Sequence, residues 1–265
     1  MNETELAFCE ILDCDRASLY LNKCSLPDKD KSEKIASVLK RRALGEPVQY
    51  ILGKAEFLGL EFRVTPDVLI PRPETELLAE TAIKYVTRAQ EHKSTSLNIL
   101  ELGTGSGCIA ISLAKLLSQT EITATDISEK ALAVARENAR LNEANIDFIQ
   151  SDLFSSYDLS ASSYELIVFN PPYIASAEIA KLQPELQYEP RIALDGGKDG
   201  LNFYRRIIKD APDYLVPEGY LIMEMGFGQS EAIKNIIHDS KKLKILETVK
   251  DYNNIDRVIA AKRIK

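Results

Sequence analysis

The sequence Asn-Pro-Pro-Tyr at residues 170–173 contains the residue types that a site for a reacting amide or amine would need. Pro171 and Pro172 fix the backbone and carry no N–H groups, so nearby carbonyl oxygens meet little competition from donors of the chain itself. Asn170 adds a side-chain carbonyl acceptor, and Tyr173 offers an aromatic face for a planar group. The alternative is a plain strand terminator, which would require neither the asparagine nor the tyrosine.

This combination of acceptors suits methyl transfer to an amide or aromatic-amine nitrogen. Such a nitrogen is a weak nucleophile because its lone pair is delocalised, and two acceptors facing one NH2 group would hold both hydrogens and orient that lone pair. Positioning of this kind can lower a barrier by about 7–11 kcal/mol. A general base is not obligatory, so the presence of only two histidines is no obstacle. Amide and adenine-type substrates both remain open at this point.

A second motif, Glu-Leu-Gly-Thr-Gly-Ser-Gly, occupies residues 101–107 between an apolar strand pattern and a helical pattern. Glycines in such a turn permit positive φ angles and let a ligand approach the backbone. The spacing differs from the G-x-G-x-x-G fingerprint of dinucleotide sites and favours a small nucleoside ligand without a pyrophosphate. An ordinary β-to-α turn is the alternative. The candidate cofactor-binding residues here are Gly103, Thr104, Gly105, Ser106 and Gly107.

Acidic residues follow the next two strand patterns. Asp126 ends one of them, where a carboxylate can accept both hydroxyls of a ribose. Aspartate is also a common helix N-cap, but Ser128 is the better candidate for that position. Asp152 follows the other strand pattern and is predicted to meet the amino group of an adenine, with Leu153 against the ring. A surface turn is the alternative for this pair.

Strand and helix patterns alternate from residue 97 to the end of the sequence. This alternation predicts a doubly wound α/β domain with a mostly parallel sheet. Open sheets of this kind bind ligands at the carboxyl ends of their strands, where all the motifs above lie. The predicted strands are 97–102, 121–126, 146–150, 164–169, 219–225, 243–249 and 257–263, and the predicted helices are 108–117, 128–141, 200–215 and 229–239.

The first 76 residues show a different sequence pattern. Helical patterns extend from residue 3 to about 44, an apolar pattern around Gly59 predicts a β-hairpin, and three prolines in residues 65–76 predict a stiff extended connector. We therefore expect three parts. They are a helical substrate-recognition domain (1–50), a hairpin and proline-rich linker (51–73) and the main domain (74–265).

Composition narrows the classes of function. The net charge of −7 argues against a broad surface for nucleic-acid phosphates. The acidic N-terminus does not resemble a signal peptide, and no apolar run approaches the ~20 residues of a membrane span. We therefore expect a cytoplasmic protein with no membrane partner. The four cysteines form no C-x-x-C pair, and no metal site is expected.

Taken together, these motifs resemble class I S-adenosylmethionine-dependent methyltransferases that carry Asn-Pro-Pro-Tyr. The stretches GEPVQYILGKAEFLGLEF, LIPRPETE and EPRIALDGGKDGLNFYRRII are similar to the HemK/PrmC family, which methylates the glutamine of the Gly-Gly-Gln tripeptide in bacterial class I peptide chain release factors. The resemblance extends from about residue 45 to the end, whereas the helical front fits by size and place alone. It implies a Rossmann-like methyltransferase domain with a mostly parallel seven-stranded sheet.

The resemblance also implies a role for each motif. Residues 103–107 would hold the methionine end of S-adenosylmethionine, which leaves as S-adenosylhomocysteine. Asp126 would hold the ribose, Leu153 would flank the adenine with Asp152 nearby, and Asn170 would contact the cofactor as well as the substrate.

On the substrate side, Asn170 and the Pro171 carbonyl would bind the glutamine amide of a release factor, and Pro172 and Tyr173 would shape its pocket. The stretch 71–76 would form part of the wall, with Arg72 as its main polar contributor.

This chain departs from the expected family pattern at a few positions. Glu101 and Cys108 replace an expected Asp and Ala beside the glycine turn, and Phe169 replaces a small residue before Asn170, where it could narrow the pocket. The competing functions are adenine methylation on DNA or RNA, which would require a basic face or a target-recognition domain, and a non-catalytic dinucleotide-binding module. The acidic charge disfavours adenine methylation on nucleic acid, and the glycine spacing disfavours a dinucleotide-binding module.

Overall fold

The computed structural model describes residues 3–21, 27–91, 96–159 and 163–264. The front of the chain is helical, as predicted, and Asp28 caps the longest helix by accepting a hydrogen bond from the Lys31 amide at 2.8 Å. A short helix after Pro47 was not predicted, because its apolar residues also fit the strand pattern of the hairpin. The helices are α1 (Glu3–Leu12), α2 (Arg16–Tyr20), α3 (Lys29–Ala43) and α4 (Val48–Leu52).

The predicted hairpin forms from the antiparallel strands β1 (Lys54–Phe57) and β2 (Leu60–Arg63). It is more than a linker, because Phe57 and Phe62 are almost fully buried and belong to the core that covers one face of the main sheet. The backbone of Arg63 also exchanges hydrogen bonds with the Asn138 side chain at 2.7 and 2.9 Å. The hairpin is therefore part of the main packing unit.

The proline-rich stretch is extended only as far as Arg72. Pro73 begins α5 (Pro73–Gln90), so the predicted extended connector is wrong for residues 73–76, which form the first helical turn. Proline is well suited to this place, since the first helical residue needs no N–H donor and its φ is already helical. This helix carries Thr75 to the ligand-binding edge of the sheet.

Within the described residues, seven strands form the main sheet in the order β5-β4-β3-β6-β7-β9-β8, with antiparallel pairing only along β9. This confirms the predicted fold class. The elements are β3 (Leu97–Leu102), α6 (Cys108–Leu116), β4 (Thr120–Asp126), α7 (Glu129–Leu141), β5 (Asp147–Gln150), β6 (Tyr164–Phe169), α8 (Asn202–Tyr214), β7 (Leu215–Glu224), α9 (Ser230–Ser240), β8 (Leu243–Lys250) and β9 (Asp256–Arg263).

Strand β7 begins four residues before its predicted start at residue 219. Pro217 and Gly219 resemble a turn in sequence, but Gly219 lies beside an irregularity in the pairing with β6. A Cβ there would come within 3.3 Å of carbonyl oxygens of Val216, Tyr164 and Glu165. The glycine thus permits a close strand contact instead of ending the strand.

The strand order places a topological switch point between β3 and β6. The chain moves from β3 outward through β4 and β5, then returns to the other side of β3 with β6. The loops after β3 and β6 therefore diverge and leave a crevice, which is the usual ligand site of such sheets. None of the helices in the described ranges combines the length and apolar composition of a membrane span.

Candidate functional site

The glycine-rich turn follows β3 and borders a cavity of about 230 Å³, which we call the glycine-loop cavity. Gly105 has a φ of +56°, and a Cβ added there would meet no atom within 4 Å. The turn thus leaves space where a side chain would otherwise project. The cavity is lined by most of the predicted cofactor residues, namely Gly103, Thr104, Gly105, Ser106, Asp126, Asp152, Leu153 and Asn170.

Gly107 was predicted with this group but does not line the cavity. It is buried at the start of α6 with a φ of +83°, and a Cβ there would lie 2.9 Å from the Ile111 side chain and 3.2 Å from the Ala135 Cβ. Its requirement for glycine comes from helix packing, which the sequence motif does not distinguish from ligand contact.

Asp126, at the end of β4, reaches across to the glycine turn. One carboxylate oxygen accepts the Gly105 N–H at 2.9 Å, and the other accepts the Ser128 N–H at 2.9 Å. Ser128 itself caps α7, as predicted, so Asp126 is not the N-cap. Burial raises the pKa of the Asp126 carboxyl, while these backbone hydrogen bonds lower it. Each oxygen retains acceptor capacity toward the cavity.

Asp152 and Leu153 follow β5 and line the same cavity. Leu153 has a φ of +55°, a conformation that L-residues rarely adopt and that is common near functional sites. The Asp152 carboxylate forms an ion pair with Arg206 at 2.9 Å, and the Arg206 guanidinium also lies over the Phe203 ring. Sequence reasoning missed Phe203 and Arg206, which come from the distant helix α8.

The Asn-Pro-Pro-Tyr stretch lies between the glycine-loop cavity and a second one of about 550 Å³, which we call the Tyr173 cavity. Pro171 and Tyr173 line the Tyr173 cavity, whereas Pro172 lines the glycine-loop cavity. Asn170 and Arg72 line both. No donor in the described part of the chain bonds to the Pro171 carbonyl. Asn170 is therefore part of a wall common to both cavities.

A buried chain of hydrogen bonds holds the Asn170 side chain. Its Nδ2 donates to Thr75 Oγ1 at 3.1 Å, and Thr75 Oγ1 donates to Glu224 Oε2 at 2.7 Å. Burial raises the pKa of Glu224 to about 7, although the Thr75 hydroxyl opposes this shift. The sequence analysis placed Thr75 in the wall stretch 71–76 without a role of its own, and it missed Glu224. The available signal for Glu224 was a lone acidic residue at the end of an otherwise apolar strand.

The backbone after Asn170 is packed against two further loops, one that contains Gly200 before α8 and one that contains Gln229 before α9. Gln229 donates to the Tyr173 carbonyl at 2.9 Å, and a Cβ on Gly200 would lie 2.3 Å from the same oxygen. The two loops thus pack closely against the Tyr173 backbone. Burial raises the pKa of the Tyr173 phenol well above its ordinary value.

Arg72 ends the proline-rich connector, and its guanidinium pairs with the buried Glu189 carboxylate. Burial raises the pKa of Glu189, and Arg72 opposes the shift. Glu189 also accepts the Ile70 N–H. Part of the Arg72 charge is therefore already compensated, and the pair joins the connector to the segment of 3-10 helices at Ile179–Lys181, Pro184–Tyr188 and Arg191–Ala193.

The departures from the expected pattern have structural explanations. Glu101 is buried and accepts hydrogen bonds from Thr104 Oγ1 at 2.6 Å and the Ala110 amide at 3.0 Å, and burial raises its pKa to about 8. Burial likewise raises the pKa of the Cys108 thiol to about 12. The Phe169 ring lines the glycine-loop cavity under Gly103.

Among the described residues no group of three or more His, Cys, Asp or Glu side chains is arranged to hold a metal ion.

Comparison with known proteins gives the family. The methyltransferase small domain family matches residues 79–186, and the PrmC N-terminal domain family matches residues 1–53. The release factor glutamine methyltransferase of Geobacter sulfurreducens is 41% identical over 98% of this chain and 88% of its own length. This chain belongs to the release factor glutamine methyltransferase family. The protein of the same description from Thermodesulfovibrio yellowstonii is 40% identical over 100% of the chain and 93% of its own length.

Solved structures support the fold assigned to this member of the release factor glutamine methyltransferase family. A methyltransferase from Pyrococcus furiosus has a TM-score of 0.59 at 19% identity and covers 88% of this chain and 100% of its own. The 16S rRNA N2 G1207 methyltransferase of Thermus thermophilus, in complex with AdoMet and guanosine, has a TM-score of 0.54 at 16% identity and covers 79% of this chain and 49% of its own. These likenesses confirm the class I methyltransferase fold.

Proposed function

We propose that this protein transfers a methyl group from S-adenosylmethionine to the side-chain amide nitrogen of the glutamine in the Gly-Gly-Gln motif of peptide chain release factors. Membership of the release factor glutamine methyltransferase family supports the reaction and the class of substrate. The observation that carries the site assignment is the position of Asn170 in a wall common to both cavities. A donor and an acceptor of the methyl group can approach this wall from opposite sides.

The glycine-loop cavity fits the cofactor. Gly105 leaves backbone exposed where a Cβ would project, in keeping with close approach of the methionine end. The Asp126 carboxylate is fixed by two backbone amides and retains acceptor capacity for the ribose hydroxyls. Leu153 supplies an apolar surface for the adenine, with Asp152 beside it. When bound here, S-adenosylmethionine supplies an electrophilic methyl group on a sulfonium.

The Tyr173 cavity fits the glutamine side chain. The Asn170 Oδ1 atom and the Pro171 carbonyl are acceptors for the two N–H bonds of the substrate amide. Tyr173 supplies an aromatic wall of this cavity, and Arg72 contributes a partly compensated charge to it, whereas Pro172 lines the glycine-loop cavity on the other side of Asn170. By polarising both N–H bonds and fixing the plane of the amide, these groups aim the nitrogen lone pair at the methyl group. The C–S bond to the sulfonium would break as the N–C bond forms, S-adenosylhomocysteine would leave as the thioether, and the nitrogen would lose one proton to solvent during or after transfer.

The three parts of the chain have separate roles in this proposal. Residues 74–265 bind the cofactor and perform the reaction, residues 51–73 place Arg72, and residues 1–50 contribute to recognition of the release factor. Contacts between Arg42 and Glu185 at 2.9 Å, and between Tyr188 and the Leu44 carbonyl at 3.1 Å, join the helical front to the segment beside the Tyr173 cavity. The partner is a protein rather than a nucleic acid, and the reaction takes place in the cytoplasm, where release factors act.

The reaction is tested with labelled S-adenosylmethionine and three substrates: a release factor, the same factor with alanine in place of the tripeptide glutamine, and duplex DNA. We expect label only in the unaltered factor. Equal labelling of the alanine variant, or labelling of DNA alone, contradicts the proposal.

The role of Asn170 is tested by Asn170→Ala. Turnover should fall by at least about 100-fold, while the Kd for the cofactor changes little, since Asn170 is one of many residues around that cavity. Asn98→Ala is a matched control near the start of the neighbouring strand β3, at the edge of the sheet opposite Asn170, where Asn98 donates to the Ser163 carbonyl. The control should retain full turnover. Undiminished turnover of Asn170→Ala would remove the amide-binding role.

A further inference from the structure

Asn170 can serve as an acceptor only if its amide is turned the right way. With Oδ1 toward the Tyr173 cavity it accepts an N–H of the substrate amide; with Nδ2 there, two donors would face each other. The two orientations have the same shape, so packing alone hardly distinguishes them. Some polar neighbour must set the choice.

Thr75 is that neighbour. Its hydroxyl has a single proton, and that proton is donated to Glu224 Oε2 at 2.7 Å. Toward Asn170, at 3.1 Å, the Thr75 oxygen can therefore act only as an acceptor, which requires the Nδ2 atom of Asn170 on that side. Both Thr75 and Glu224 are buried, with 3% and 2% of their surface exposed, so water competes little for the hydrogen bond between them.

Glu224 is itself held in a fixed position. It ends β7, and its backbone carbonyl accepts the Tyr204 hydroxyl at 2.9 Å. Burial raises its pKa to about 7, and the Glu74 charge adds to this shift. The Thr75 hydroxyl, the positive charge of Arg257 and the Tyr173 hydroxyl favour the carboxylate, which predominates above about pH 7. The carboxylate thus has neighbours on the Asn170 loop, on β9 and on α5, and it directs the Thr75 proton away from Asn170.

We propose that Thr75 and Glu224 are positioning residues that select the orientation of the Asn170 amide and thereby present Oδ1 to the substrate nitrogen. This inference rests on the function proposed above. Neither residue touches the methyl group. Their effect is on the catalytic step, because an amide that turns freely presents a donor to the substrate for part of the time and no longer holds the nitrogen in line.

The first test is Thr75→Val, which keeps the shape of the side chain and removes its hydroxyl. We expect kcat to fall about 10- to 100-fold, as for a small misplacement of a group at the reacting centre, while the KM for S-adenosylmethionine stays within about twofold, because the amide keeps its place in the cavity wall. Thr75→Ser restores the hydroxyl and should recover kcat to within about threefold. Should Thr75→Val not fold, Thr75→Ala removes the same hydroxyl without adding a methyl group.

Thr81→Val is the matched control on the same helix. Thr81 is also buried, but its hydroxyl donates to the Leu77 carbonyl at 2.7 Å and has no link to Asn170. This variant should keep the wild-type kcat. A folded Thr75→Val or Thr75→Ala enzyme with wild-type kcat overturns the positioning role, as does a Thr75→Ser enzyme that is as slow as the variants without a hydroxyl.

Glu224→Gln tests the other end of the chain of hydrogen bonds. A glutamine can donate to Thr75 and so release its hydroxyl proton toward Asn170, which permits the wrong amide orientation. We expect a lower kcat with an unchanged cofactor KM, and wild-type kcat here would also overturn the proposal. Failure of the wild-type protein to label a release factor would instead contradict the proposed function, so the two outcomes are distinguishable.

Discussion

Gly105 and Gly107 provide a test that separates ligand contact from helix packing, because both have positive φ angles but different surroundings. Alanine in the left-handed region costs about 1–2 kcal/mol at either position. At Gly105 the new Cβ meets no protein atom within 4 Å and projects into open space at the glycine-loop cavity. Gly105→Ala should therefore lower the free energy of unfolding by about 1–2 kcal/mol, a decrease in Tm of roughly 2–8 °C.

At Gly107 the new Cβ would lie 2.9 Å from Ile111 and 3.2 Å from Ala135. Overpacking of this kind adds about 1–3 kcal/mol to the backbone cost. Gly107→Ala should therefore be the less stable variant by that amount. For cofactor binding we expect Gly105→Ala to be the more damaged variant. Its new methyl group occupies space proposed for the cofactor and should weaken binding at least about tenfold, or about 1.4 kcal/mol.

Urea denaturation gives the two free energies of unfolding, and titration calorimetry with S-adenosylmethionine gives the two Kd values. Calorimetry is performed at a temperature where both variants are folded. Wild-type cofactor affinity in Gly105→Ala would refute the placement of the cofactor against this backbone. Equal stabilities of the two variants would refute the packing role assigned to Gly107.

Further predictions concern the ribose site, the hairpin and the buried acid. Asp126→Asn should raise the Kd for S-adenosylmethionine at least about tenfold by calorimetry, because an amide nitrogen replaces one acceptor oxygen; an unchanged Kd would exclude the ribose role. Phe62→Ala, in the hairpin, should lower the free energy of unfolding by about 3–5 kcal/mol. Phe227→Ala is the control and should change it little, because Phe227 is 78% exposed. Similar effects of the two substitutions would mean that the hairpin is not part of the core. Burial raises the pKa of Glu224 from 4.5 to about 7, so the folded state binds this proton more tightly than the unfolded chain does. Wild type should therefore lose about 3 kcal/mol relative to Glu224→Gln between about pH 4 and pH 8, measured by urea denaturation, and a pH-independent difference would contradict the raised pKa.

Local sequence patterns predicted the parts of the site that follow individual strands. Asp126 ends β4 and Asn170 directly follows β6, and the carboxyl ends of parallel strands necessarily meet at one edge of the sheet. The glycine turn was recognisable for the same reason. The motif alone could not show that Gly107 serves helix packing while Gly105 faces open space, since both follow from neighbours elsewhere in the fold.

Long-range contacts account for what was missed. Thr75 and Glu224 are separated by 149 residues, and no periodicity links them before the sheet forms. Arg206 and Asp152 are likewise distant in sequence, and no local pattern indicates that they pair. The start of α5 at Pro73 was missed for a local reason, because a proline can open a helix as well as prevent one, and its neighbours did not decide between the two.

The contact between Phe169 and Gly103 has a consequence for how such sequences diverge. A Cβ at position 103 would lie 2.9 Å from the Phe169 ring, and that ring also packs edge-on against Phe203 at 6.3 Å. A small residue at position 169 would leave a space that a neighbouring side chain must fill. The side chain at position 203 is the aromatic neighbour that could do so. We therefore expect residues 169 and 203 to vary as a pair among relatives, with total side-chain volume more constant than either identity. We expect position 103 to stay glycine, because its φ of +63° is unfavourable for other residues even after the ring is gone.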